Sequence, residues 1–175
     1  NILGSAGPTG FVAGFAGAAN PNVWYPIALA NAISGTDQAP ANVCATDPSF
    51  PDASGSEITA SFNSAQPDWY FGTGTPGTNP VDQQPQVDFE SVVMHELGHG
   101  LGFVGSFDGL DPNTGIDSGR GYFGLSNGDG QNPTIFDTLT SDGSGTPLTS
   151  YADGSLALGN VLRGGANGAR WNGQK

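Results

Sequence analysis

Four stretches of the chain carry a hydrophobic period. Between Glu57 and Asn63, the residues Ile58, Ala60 and Phe62 alternate with Glu57, Thr59 and Ser61, as in a half-buried strand. From Phe89 onward Val92, Val93, Met94, Leu97 and Leu101 recur around almost a whole helical circumference, which predicts a buried helix. Asp88 suits its N-cap, where a carboxylate also meets the positive helix end. Gly98, Gly100 and Gly102 are poor helix formers, so either packing holds the second half or the helix ends near Gly102 in a left-handed cap. Trp24, Ile27, Ala28, Ala30 and Ala32 predict a helix over Pro21–Ile33, with Asn20 or Asn22 as cap, Pro26 in its first turn and Gly35 at its end. Leu156, Leu158, Val161 and Leu162 predict a short helix over Leu156–Leu162.

The remainder reads as connections. Thr36–Ser56 and Gly72–Gln86 are dense in loop-forming residues, and the chain is loop-rich from Phe103 to about Asn132, with one short element expected in Pro133–Thr140. Asn1–Ala19 mixes Gly and Ala with scattered apolar residues and shows no clear period. The 29 glycines and 13 prolines approach a disordered composition. Against that, apolar residues make up 36% and the aromatics cluster at Trp24-Tyr25 and Trp69-Tyr70-Phe71. A single folded α+β domain over residues 1–175 is expected.

Charge narrows the partners. Sixteen acidic residues face four basic ones, Arg120, Arg163, Arg170 and Lys175, for a net charge of -12. No basic footprint is available for nucleic acid or for an anionic membrane, so neither is an expected partner. There is no apolar run of 18 residues. The lone Cys44 permits no internal disulfide and is a free thiol or pairs outside the chain. The chain starts at Asn1, as a trimmed piece of a longer protein would.

The chemistry concentrates in His95-Glu96-Leu97-Gly98-His99, within the second predicted helix. Residues four apart share one helical face, so two imidazoles can reach one metal ion. Glu96 beside them can take a proton from a metal-bound water and pass it to a leaving amine. Zinc supplies the lowered water pKa and polarises a carbonyl, which is why His-Glu-x-x-His has this spacing. Average residue usage gives this pattern by accident roughly once in several hundred chains of this size. Here it uses both histidines of the protein. The competing reading is a pair of satisfied core histidines beside a glutamate, but a buried carboxylate without a partner is costly.

At these residues the chain resembles the zincin metallopeptidases. His95-Glu96-Leu97-Gly98-His99-Gly100-Leu101-Gly102 looks like the first part of the metzincin signature, with Gly102 at the position of its turning glycine. The resemblance implies a zincin-like fold, with a twisted mixed sheet packed on a buried active-site helix and a loop-rich C-terminal half. It implies that the strand Glu57–Asn63 is the edge on which a peptide lies. It also implies a secreted zinc endopeptidase, acting as a monomer on protein or peptide substrates, with Glu96 as general base and acid. Two departures stand against an ordinary metzincin. The third-ligand position holds Gly105, and the downstream methionine turn is missing, because the only methionine is Met94.

With no histidine left, the third zinc ligand should be a carboxylate. Asp108, Asp111, Asp117, Asp129, Asp137, Asp142 and Asp153 lie downstream. Asp137 is the first choice, because its neighbours Ile135, Phe136 and Leu139 are apolar; Asp108, nine residues past His99, is the second. Asp137 could instead cap nearby backbone amides together with Thr134. Tyr122 and Tyr151 are candidate oxyanion donors. The stretches Asp108–Asn113 and Asn127–Gly130 could hold calcium, or be turns alone. Two other functions fit the motif: a non-catalytic extracellular binding domain with a degenerate zinc site, and a zinc hydrolase of a non-peptide bond.

Overall fold

The computed structural model describes residues 2–38, 56–111, 113–126, 131–164 and 167–172. Cys44, most of the Thr36–Ser56 stretch and all of Asn127–Gly130, Asp129 included, lie outside these residues.

The first half begins with β1 (Gly4–Pro8), β2 (Phe11–Val12) and β3 (Tyr25–Pro26), which runs into α1 (Ile27–Ser34). It continues through β4 (Ile58–Phe62), β5 (Trp69–Tyr70) and β6 (Val87–Asp88) to the 13-residue α2 (Phe89–Leu101). The second half holds β7 (Phe107–Asp108), β8 (Tyr122–Phe123), β9 (Leu125–Ser126) and β10 (Gln131–Asn132). A 3-10 turn at Asp137–Leu139, β11 (Thr140–Ser141), a 3-10 turn at Leu148–Ser150, α3 (Leu156–Leu162) and β12 (Arg170–Trp171) follow. Among the described residues the strands pair only in twos: β1 with β4, β2 with β3, β7 with β8, β9 with β10 and β11 with β12 antiparallel, and β5 with β6 parallel.

Helix ends follow local chemistry. Asp88 accepts a hydrogen bond from Ser91 N at 3.1 Å and caps α2, which stops at Gly102, where φ is +124° and a Cβ would be strained. Ser155 caps α3 by accepting from Leu158 N at 3.1 Å. The first helix starts later than expected, at Ile27, because Tyr25 and Pro26 are drawn into pairing with Phe11 and Val12.

Two apolar clusters anchor the halves. Val12, Phe15, Val23, Tyr25 and Ala30 pack with Ala18, Leu29 and Ile135. Leu148, Leu158 and Val161 pack with Phe107, Phe123, Tyr151 and Leu162. Phe62, Trp69 and Phe71 surround Phe89 at the start of α2, with ring centroids 5.1–5.4 Å apart. The expectation of a buried α2 is corrected: Gly100 is its one fully buried residue, and Met94 and Leu101 are 67% and 54% exposed. An apolar circumference records which faces can be buried, not how many neighbours arrive. Here β1, β4 and α1 cover one side.

The approach of α2 to β4 is close because position 100 lacks a side chain. A Cβ there would meet Ile58 Cγ1 and Cδ1 at 2.9 Å, and Cγ2 closer still. Gly4 is used in the same way in β1, where a Cβ would lie 2.8 Å from the Phe62 ring.

Candidate metal centre

Residues 95 and 99 stand one turn apart on α2 and turn their rings toward each other. Their Nε2 atoms are 3.2 Å apart. Two imidazole nitrogens bound at ordinary lengths to one tetrahedral zinc are about 3.3 Å apart. The pair therefore fits a zinc ion as two of its ligands. His99 Nδ1 lies 2.7 Å from the Phe103 carbonyl oxygen, an acceptor, so Nδ1 carries the proton and Nε2 keeps its lone pair. That carbonyl is delivered by the end of α2, where Gly102 turns the chain and Phe103 N donates to the Gly98 carbonyl at 3.0 Å.

Glu96 is placed by β1. In the β1–β4 ladder, Asn63 N donates to the Leu3 carbonyl and Thr9 N to the Glu57 carbonyl, so the odd residues of β1 bond β4. The even residues turn their backbone groups to the other edge, and there Ala6 N donates to Glu96 Oε2 at 3.0 Å. Glu96 is thus held on Oε2, while Oε1 has no hydrogen bond among the described residues. Ile2, Leu3 and Gly4 on one side, and Ser91, Val92, His95 and Glu96 on the other, line a cleft of about 460 Å³. The strand edge turned to this cleft belongs to β1; the expected one, β4, lies behind it. Strand β1 went unread because Gly-Ser-Ala-Gly-Pro has no apolar alternation.

The structure does not bring Asp137 to the histidines. Its fully buried carboxylate accepts from Ser106 N at 3.1 Å, Ser106 Oγ at 2.6 Å and Thr134 N at 2.7 Å. Thr134 Oγ1 lies 2.9 Å from Asp137 Oδ2 and 3.1 Å from the Val104 carbonyl, and gives its one proton to either. The apolar neighbours did signal burial, but hydrogen bonds take up the carboxylate. Asp108 Oδ1 accepts from Leu110 N, Asp111 Oδ1 from Asn113 N, and Asp153 Oδ1 from Phe123 N. The Asp108–Asn113 stretch thus shows turn bonds of its own. Asp117 pairs with Arg163; backbone bonding from Gly119 first, then that guanidinium, lowers its pKa. Among the described residues no three His, Cys, Asp or Glu side chains form a group able to hold a metal ion.

The tyrosines are also engaged elsewhere. Tyr122 OH lies 3.3 Å from Asp111 Oδ2. Tyr151 OH donates to Asp142 Oδ2 at 2.8 Å, and this bond raises the Tyr151 pKa. Asp142 is 3% exposed, and its pKa is held well below the carboxylate range by Ser144 Oγ first, then by Thr146 N, Tyr151 OH and Ser144 N.

A family model described as SPBPB7E8-like matches residues 18–114, more than half of the chain, and the chain belongs to that family. The matched span takes in His95, Glu96, His99 and Gly105 but neither β1 nor Asp137. Comparison with curated proteins and with solved structures gives no match. No helix among the described residues is long and apolar enough to cross a membrane.

Proposed function

We propose that this chain is a zinc-dependent endopeptidase of zincin type, acting outside the cell on extended segments of protein substrates. The observation that carries the reading is the His95–His99 pair at 3.2 Å, with His99 Nδ1 fixed on the Phe103 carbonyl and Glu96 beside it. His95 and His99 would hold the metal through Nε2. Zinc bound there supplies Lewis-acid polarisation of a carbonyl and a more acidic water. Glu96, steadied on Oε2 by Ala6 N–H, receives the proton of the attacking water and returns it to the leaving amine. The outward N–H and C=O of Gly4 give an extended chain a place to pair along the cleft.

The test is cleavage of casein by the wild type and by Glu96→Gln, with the zinc content of each measured. Wild-type cleavage, with a variant that keeps zinc and loses at least 100-fold in rate, supports the reading. Zinc in both and cleavage by neither would sink it. That result would favour a binding domain, a second reading supported by the lack of a third protein ligand among the described residues.

A further inference from the structure

We propose that Asp137 is a positioning residue of the metal centre, acting through the loop that orients His99; this rests on the metal-binding reading above. The loop from Phe103 to Ser106 carries the carbonyl that accepts the hydrogen bond of His99 Nδ1–H. Three groups tie the loop to one place. Ser106 N and Oγ both donate to Asp137, and Thr134 Oγ1 lies within bonding distance of the Val104 carbonyl. Asp137 in turn accepts from Thr134 N, closing the clamp. Residues 133–135 are fixed against the first core, since Trp24 N donates to the Pro133 carbonyl and Ile135 N to the Trp24 carbonyl. The route from the core to the His99 ring is therefore a set of hydrogen bonds, with Asp137 at its fully buried centre, completed by the backbone from Ser106 to Phe103.

Gly105 belongs to the same device. A Cβ at 105 would lie 3.0 Å from Asp137 Oδ1 and 3.6 Å from the Phe136 ring, so the carboxylate occupies the room a side chain at 105 would need. The position where the metzincin signature places a metal ligand is given over here to backbone that a buried aspartate grips. The Phe103 carbonyl is the outer contact that sets the orientation and basicity of His99, and displacing such a contact weakens metal binding on the order of 10-fold or more.

The experiment titrates metal-free chain with Zn²⁺ and with Co²⁺, reading affinity by chelator competition and site geometry from the visible Co²⁺ bands. Wild type, Asp137→Asn and Asp142→Asn are compared. Asp142 is the control, a carboxylate also buried and fully bonded, but in the Ser144–Tyr151 network. The expected result is about 10-fold weaker binding and shifted Co²⁺ bands for Asp137→Asn, with wild-type affinity and bands for Asp142→Asn despite lower stability. Ser106→Ala, which removes only the Oγ bond, shifts the same readouts less and serves if Asp137→Asn does not fold. Wild-type metal affinity and bands in both clamp variants would overturn the positioning role and leave the metal centre standing. Failure of the wild type to bind either ion would overturn both.

Discussion

Adding one methyl group at Gly100 should destabilise the protein, although alanine is the better helix former. The helix propensity gain is about 1 kcal/mol. Against it, the new Cβ would fall inside contact distance of three Ile58 atoms, two of them at 2.9 Å. Overpacking of this kind costs about 1–3 kcal/mol. Gly98→Ala is the control: it lies in the same helix, with nothing within 4 Å of its Cβ. The propensity term is common to both variants and cancels, so the difference between them reads the Ile58 conflict alone. A difference of about 2 kcal/mol separates the two melting temperatures by roughly 4–8 °C for a chain of this size. Thermal unfolding followed by circular dichroism measures it, and the same pair is repeated in an Ile58→Ala background. There the gap should close, because the obstructing atoms are gone. Equal melting temperatures for Gly98→Ala and Gly100→Ala in the wild-type background would refute the close approach of α2 to β4.

Other outcomes follow from single bonds. Asp88→Ala should cost about 1 kcal/mol in urea unfolding through loss of the cap on Ser91 N, while Asp88→Asn keeps most of it. The lowered pKa of Asp142 stabilises the fold above the unfolded carboxylate value near 3.9, and this contribution drains away as pH falls through the folded value. Asp142→Asn should therefore lose less stability than wild type between pH 5 and pH 2 in a thermal melt series. An identical acid slope in the two proteins would remove Asp142 from that account.

Where sequence and structure agree, a local rule sufficed. The α3 helix runs over Leu156–Leu162 as its period predicts, α2 begins at the Asp88 cap, and β4 forms within the alternating stretch. That His95 and His99 face each other was legible because residues four apart share one face of a helix. What remained hidden depends on neighbours distant in sequence. No period marks β1, whose place comes from pairing with β4 and from the reach of Ala6 to Glu96, 90 residues away. Residue 137 could be read as buried from its neighbours, but only the fold reveals Ser106 as its partner 31 residues off.

The outer edge of β1 also bears on self-association. An open strand edge invites copies of a protein to stack into sheets, row upon row of free donors and acceptors. Here Ala6 has its N–H committed to Glu96, and Pro8, next in the outward register, has none to offer. Of the three outward residues, Gly4 alone presents an N–H with no partner among the described residues. The edge can receive a passing chain for a residue or two and then runs out, and a strand that cannot be extended is a poor seed for a fibril.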